Sequence, residues 1–238
     1  MSGNTLRAVD EFLRGAGRFA PEADPRGRTR WLIAMTVVFS AIYGIVMGGF
    51  GFVVRGETRL LVYPLLVAFK TPALLLITFA LCVPSFYVVN AILGLRDDFA
   101  HALRAVTGTL ACLSVALAAM APLTLFFYFC TDYYDAAILF NGLIFAIGCG
   151  AALGVVRRYY GPLIRKSARH RAAMMAWFLL YIFVAIQMAW TLRPFIGDPN
   201  PEVPIVPFRS GDIDNAYLEI LRLFGQVWRM WRDLFRIG

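Results

Sequence analysis

Charged side chains are absent from five long stretches of this 238-residue chain, and that absence restricts the fold class more than any motif does. The hydrocarbon core of a bilayer is about 30 Å thick, and about 20 apolar residues cross it as a helix. A helical bundle in water would carry charge along the outer face of each helix, which excludes a soluble bundle. The sequence therefore predicts an all-α, polytopic transmembrane bundle with five spans at residues 31–54, 71–95, 105–131, 136–156 and 172–192.

Histidine and cysteine are scarce, and no catalytic motif is present. The two histidines, His101 and His170, lie outside the five runs, so a haem held by two histidines within the bundle is unsupported. Ionisable residues within spans mark proton relays and ion-coupled transport, and their absence argues against both and against acid–base catalysis in the bilayer. No phosphate loop, dinucleotide fingerprint, HExxH or GxSxG occurs. The four cysteines have no short spacing and are expected to act as small core residues. We therefore expect no enzyme activity, no metal and no cofactor.

Basic residues are distributed unevenly between the two sides of the predicted bundle. Fourteen lie in the leader, in the connection after the second run and in the connection after the fourth, whereas three lie in the opposite connections. Because arginine and lysine concentrate on the cytoplasmic side, we expect a cytoplasmic amino terminus and a carboxyl terminus on the far side. Six further arginines follow the last run, but late charges influence topology less. A sixth span at 214–237 would bury four arginines and three acidic residues, which is unfavourable.

Both ends of the chain carry amphipathic patterns outside the spans. We divide the chain into a leader and linker at 1–30, a transmembrane domain at 31–195, and a proline-rich loop with an amphipathic helix at 196–238. In 214–236, apolar residues recur every three or four positions with arginines between them, as in interfacial helices. A helix packed on the bundle or on a partner subunit explains that pattern equally well. Residues 5–20 repeat it weakly, with an apolar face formed by Leu6, Val9, Leu13 and Ala16, and with Phe12 and Phe19 beside it.

The stretch LLVYPLLVAFK at 60–70 is apolar but too short to cross a membrane alone. Lys70 and Pro72 separate it from the second run. It is therefore predicted to be a re-entrant or interfacial piece that leads into the second span.

Uncharged polar residues within the runs have two interpretations. The candidates within the membrane are Thr78, Ser85, Asn90, Asn141 and Gln187. In the second run, the spacing predicts one shared helical face for Thr71, Thr78, Cys82 and Ser85. Small and hydroxyl side chains let helices approach and form hydrogen bonds across an interface, and the same side chains could line a polar cavity or a solute path.

Glycines recur every three or four residues in two of the runs. They are Gly44, Gly48 and Gly51 in the first run, and Gly150 and Gly154 in the fourth. This spacing fits close contact between helices, although GxxxG alone is a weak signal.

Two cations lie at the predicted outer boundary of the membrane, each close to a proline. Lys70 precedes Pro72 by two residues, and Arg193 directly precedes Pro194. Two fixed cations beside helix ends could bind an anion, a lipid phosphate or the carboxylates of the TDYYDA turn. The alternative is that both side chains extend to the interface without a specific partner.

The strings KTPALLLITFALCVPSFYVVNAILG (70–94), MAPL (120–123) and QMAWTLRPFIGDP (187–199) resemble an uncharacterised family of bacterial membrane proteins. Its members show K-x-P-x-L-L, a P-S pair, and later Q-M-A-W-x-L-R-P-F, and some are related to the five-span Yip1 superfamily. The resemblance covers about residues 40–200. It implies a five-span topology in a bacterial membrane and no activity. Together with the distribution of basic residues, it predicts a multi-pass protein of the bacterial cytoplasmic (inner) membrane with a cytoplasmic amino terminus and a periplasmic carboxyl terminus.

These patterns predict a non-enzymatic integral membrane protein that acts as a scaffold or accessory subunit of a membrane complex through helix–helix association. The expected partners are the lipid bilayer and other membrane subunits or further copies of the chain, with no nucleic acid. The alternative is a channel or facilitator for a small solute, anions included, which would use the polar residues within the spans and the boundary cations.

Overall fold

The structure is a computed structural model that describes residues 3–14 and 25–197. Seven α-helices form this part of the chain, with short 3₁₀ turns at Thr58–Leu61 and Arg96–Asp98. The helices are α1 (Gly3–Arg14), α2 (Pro25–Gly48), α3 (Phe50–Arg55), α4 (Val62–Ile92), α5 (Phe99–Cys130), α6 (Tyr134–Lys166) and α7 (Arg169–Leu192). No strand occurs in the described ranges, and the predicted all-α helical bundle is confirmed.

Among the residues that the structure describes, five helical segments are long and apolar enough to cross a membrane, as the sequence predicts. The first combines α2 with α3, and the other four are α4, α5, α6 and α7. Several helices continue beyond their apolar runs. At 32 and 33 residues, α5 and α6 measure about 50 Å at about 1.5 Å per residue. Their extra turns lie where α5 begins and α6 ends, and we call this the arginine-rich end of the bundle.

The re-entrant piece expected at 60–70 is absent, because residues 62–70 continue into the second span as one helix, whereas an interfacial position of these residues stays a prediction. Helix α4 begins at Val62 and continues to Ile92, with Pro72 and Pro84 inside it. Proline removes one backbone donor, but helices in membranes tolerate this loss when neighbouring groups compensate. The first turns of α4 are held by packing, because Tyr63 and Val67 are buried and their backbones touch α2 at Gly48 and Gly44.

Helix α2 lies between α4 and α5, α6 packs on the other side of α5, and α7 packs on α4. In the described part of the chain the apolar core has two parts. One joins helices α1 to α6, with Val67 and Leu75 of α4 in it, and the other joins α4, α5, α6 and α7 around Phe86 and Trp177. Helices α6 and α7 are less buried than the other three spans, so much of their surface is free to face lipid or another protein.

The amino-terminal helix α1 packs on the arginine-rich end of the bundle. Phe12 is 1% exposed and its ring is stacked with Tyr159 of α6, at 6.2 Å between ring centroids. Val9 of the expected apolar face packs against the core, but Leu13 is 42% exposed, so α1 contacts the bundle through Phe12 and only part of that face. The predicted helix at 214–236 lies outside the described residues.

The cysteines do not all act as core residues. Cys82 and Cys112 are buried, as expected, but Cys130 and Cys149 are exposed. All four are free thiols.

Candidate functional site

The five polar candidates within the spans are not gathered in one place. Thr78 and Asn90 are buried in α4, Asn141 is buried in α6, and Gln187 on α7 is half-buried. Ser85 is exposed although Thr71, Thr78 and Cys82 are buried, so the prediction of one shared face is wrong at Ser85. Pro84 lies between Cys82 and Ser85, and a proline alters the local twist of a helix.

Asn141 is the centre of a buried hydrogen-bond network between three helices. Its Oδ1 accepts from the Tyr43 hydroxyl at 2.7 Å, and its Nδ2 donates to the Tyr128 hydroxyl at 2.7 Å. The Tyr128 hydroxyl donates in turn to the Met47 carbonyl at 3.2 Å, and Asn141 also donates to Ala137. These contacts connect α2, α5 and α6 within the core and give the network a structural role.

Most buried hydroxyls donate to their own helix rather than to a shared cavity. The acceptor is the carbonyl four residues earlier for Thr36, Thr71, Thr107, Thr109 and Thr124. A solute path needs polar groups that are free to replace the solute's water shell. These hydroxyls instead donate to carbonyl groups of their own helix, which favours helix packing over a solute path as the role of these residues.

Lys70 is inside the bundle and does not extend to water. It is 5% exposed, and its Nζ donates to the Pro194 carbonyl at 2.8 Å and lies 5.9 Å from the centroid of the Phe195 ring. The chain after α7 thus folds back over α4, and Ile196 is buried in the core. The guanidinium carbon of Arg193 lies 3.4 Å from the centroid of the Trp190 ring. The structure therefore brings the two predicted cations to the same end, and binding of an anion there stays a prediction.

Replacing Lys70 with methionine should detach residues 194–197 from α4. A hydrogen bond to a charged group contributes about 1.5–3 kcal/mol, so we expect Lys70→Met to lower the free energy of unfolding by about 2 kcal/mol. Arg165→Met is the control, because Arg165 is an exposed cation near the end of α6. Thermal unfolding in a neutral detergent measures both. Equal melting temperatures for Lys70→Met and wild type would mean that the ammonium contributes nothing specific.

A second polar cluster joins two connections at the arginine-rich end. Lys166 Nζ donates to both carboxylate oxygens of Asp98 at 2.7 Å, and His170 Nε2 lies 3.3 Å from one of them. His170 is fully buried, and its ring packs edge-on against Tyr160. The cluster fixes the start of α5 against α6 and α7. Within residues 3–14 and 25–197, no three His, Cys, Asp or Glu side chains could hold a metal ion.

The α6 outer face is a row of small residues on the surface of the bundle. It consists of Gly142, Ala146, Gly150 and Gly154, all exposed. A Cβ atom built on any of these three glycines would have no atom of the described chain within 4 Å. Gly150 and Gly154 therefore make no close helix contact inside the described bundle, contrary to the sequence prediction.

The other glycine row makes the contacts expected of it. A Cβ on Gly44 would lie 2.5 Å from the Val67 carbonyl oxygen, and one on Gly48 would lie 2.7 Å from that of Tyr63. A Cβ on Gly51 would lie 2.8 Å from the Gly197 carbonyl oxygen. The first run thus uses its glycines to bring backbones into contact, whereas the α6 outer face has the same small-residue spacing with open space above it.

The resemblance of residues 70–94 and 187–199 to five-span bacterial membrane proteins stays a prediction. It implies a topology and no activity. No family model, curated protein or solved structure matches the chain.

Proposed function

We propose that this integral membrane protein is a non-enzymatic accessory subunit or scaffold, and that it joins a membrane complex through the α6 outer face. The observation that supports the proposal is the exposed row Gly142, Ala146, Gly150 and Gly154, with open space above each glycine. Close approach of a partner helix is the physical use of such a row.

Glycine has no advantage on a helix that faces only lipid. In a helix it is about 1 kcal/mol less favourable than alanine, and it offers no side chain to pack against acyl chains. Helix association in a bilayer depends on van der Waals packing and hydrogen bonds, because lipid tails are as apolar as the helix surface. A row of small residues improves that packing only when a second helix lies on it.

Charge favours a different subunit over a second copy of this chain. Arg157 is exposed and follows Gly154 by less than one turn, and Arg165 is exposed further along the same helix. A parallel pair of α6 helices related by a two-fold axis would place these like charges near one another, which is unfavourable. We therefore propose a partner transmembrane helix that carries a carboxylate beyond its end on the arginine-rich side.

The proposed location is the cytoplasmic membrane of a bacterium, with the arginine-rich end in the cytoplasm. The fourteen basic residues on that side, against three in the opposite connections between spans, support this orientation, because the six arginines after the last span influence topology less.

Photo-crosslinking in intact membranes tests the association. Ile147 and Leu153 flank the α6 outer face on its two sides and are 47% and 43% exposed. Replacing either with a benzophenone amino acid leaves the glycine row unfilled, and each should give a discrete adduct heavier than the chain. Leu179 on α7 is the control, because it is 68% exposed and lies away from the row.

The mass and linkage of the adduct decide between the outcomes. Adducts at 147 and 153 but not at 179, weakened by Gly150→Leu, are the expected result. An adduct of twice the chain mass would mean that the partner is a second copy of this chain and not a different subunit. The proposal is contradicted by crosslinks that stay within the chain, or by the absence of an adduct at both flanking positions.

A further inference from the structure

A cavity of about 230 Å³ lies at the arginine-rich end between α1, α2, α5 and α6. Its basic lining residues come from three helices: Arg28 of α2, His101 and Arg104 of α5, and Arg158 of α6. None of its lining residues in the described part of the chain is acidic. The cavity is therefore a concentrated positive site, separate from the α6 outer face.

The guanidinium groups are held close to one another at an electrostatic cost. Arg28 and Arg104 are near enough for their charges to repel, and both lose part of their water shell to the surrounding helices. Like charges that share a partly buried site are unfavourable. An anion between them would turn that repulsion into attraction.

Arg104 has an unsatisfied donor. Its Nε is buried and has no hydrogen-bond partner among the described residues. A buried donor without an acceptor is unfavourable, because no hydrogen bond offsets the free energy of removing the group from water. Arg104 also lines the cavity, so an oxygen-rich anion there would offer acceptors to its guanidinium group, and planar guanidinium groups suit phosphate oxygens because they can donate two parallel hydrogen bonds.

The remaining wall of the cavity is mainly apolar, and the docked helix α1 contributes Phe12 to it. Phe12 and Tyr159 line it, and the Tyr159 hydroxyl donates to the Phe12 carbonyl at 3.1 Å. Arg158 donates through Nη1 to the Leu13 carbonyl, so one wall residue also holds α1 in place. Gly108 leaves space between the two rings, because a Cβ there would only reach ordinary contact with them.

We propose that this cavity binds a phosphate group, and that its natural source is the headgroup of an anionic phospholipid. The charged lining matches the phosphate, and the apolar wall suits the glycerol and first methylenes beside it. Basic pockets between transmembrane helices at the cytoplasmic surface are suited to such headgroups. This site goes beyond the proposed subunit function and does not depend on it.

The test uses the purified full-length protein in a neutral detergent and follows thermal unfolding by tryptophan fluorescence. Short-chain phosphatidylglycerol is titrated, with short-chain phosphatidylcholine as the uncharged-headgroup control and inorganic phosphate, at constant ionic strength, as the alternative source. Phosphatidylglycerol should raise the melting temperature of the wild type. In Arg104→Gln the concentration for half of that effect should rise about tenfold, as expected for one lost charge-assisted hydrogen bond. Arg165→Gln is the matched control on an exposed arginine of α6 and should behave as wild type.

The unliganded protein separates binding from a structural role. Because Arg28 and Arg104 repel, Arg104→Gln should keep or raise the melting temperature without lipid, whereas a structural arginine would lower it. A response to inorganic phosphate equal to that to phosphatidylglycerol, and equally dependent on Arg104, would identify free phosphate as the ligand. The proposal is overturned if Arg104→Gln responds to phosphatidylglycerol like wild type, or if Arg165→Gln loses as much of the response as Arg104→Gln does. It is also overturned if phosphatidylcholine raises the melting temperature as much as phosphatidylglycerol, or if Arg104→Gln without lipid melts below wild type.

Discussion

Gly48→Ala should destabilise the bundle by about 3 kcal/mol, although glycine-to-alanine changes usually stabilise helices by about 1 kcal/mol. The added Cβ would lie 2.7 Å from the Tyr63 carbonyl oxygen, 2.8 Å from its carbon and 2.9 Å from the Pro64 nitrogen. All three are backbone atoms of α4, so no flexible side chain can move aside. The two helices must separate, and the packing of Tyr63 beside them is lost.

Gly150→Ala is the matched control for this prediction. Its new Cβ meets open space, so only the helix preference acts and the variant should be as stable as wild type or more stable. Equilibrium unfolding in mixed detergent micelles measures both variants on one scale. Equal stability for Gly48→Ala and Gly150→Ala would contradict the close contact between α2 and α4.

Asn141→Leu should lower the free energy of unfolding by about 3 kcal/mol. A single hydrogen bond between membrane helices contributes only about 0.6 kcal/mol on average, but a buried polar group left without a partner costs about 1–3 kcal/mol. Leucine at 141 removes the acceptor of the Tyr43 hydroxyl and the donor to Tyr128. The free energy cost of leaving buried polar groups unpaired therefore exceeds the stabilisation that the hydrogen bonds of Asn141 themselves contribute.

A double substitution tests this explanation. Tyr43→Phe removes one of the hydroxyls that Asn141→Leu leaves unpaired, so the double variant should be more stable than the two single losses together predict. Thr107→Val is the control, because Thr107 donates only to Leu103 of its own helix and should matter little. Strict additivity of Tyr43→Phe and Asn141→Leu would mean that the network is not cooperative.

The spans could be predicted from the sequence because uncharged length alone decides whether a helix can cross a bilayer. The break expected between residues 60–70 and the second span is absent, because contacts with residues far away in the sequence stabilise a continuous helix. Lys70 and Pro72 are typical of a membrane or helix boundary, but Lys70 Nζ donates to the carbonyl of Pro194, 124 residues away. The packing of Tyr63 on α2 then kept the first turns of α4 helical.

The candidate site could be predicted only in part. Gly44–Gly48 and Gly150–Gly154 have the same spacing, and only the fold shows that the first pair is covered by α4 while the second is open. The basic cavity could not be predicted from the sequence, because arginines at helix ends indicate the orientation in the membrane and do not by themselves indicate a shared site. Arg28, Arg104 and Arg158 are far apart in the sequence, and the docking of α1 through Phe12 helps to enclose them in one cavity.

The most direct test of the proposed function is the protein mass of the particle extracted from native membranes into polymer-bounded lipid discs, without detergent. Wild type should be recovered with additional protein mass from a partner subunit. Gly150→Leu combined with Gly154→Leu fills the α6 outer face at two positions where an added Cβ meets no atom of the described chain within 4 Å, and this variant should be recovered at about the 26.6 kDa of a single chain. The same protein mass for both would contradict association through this face.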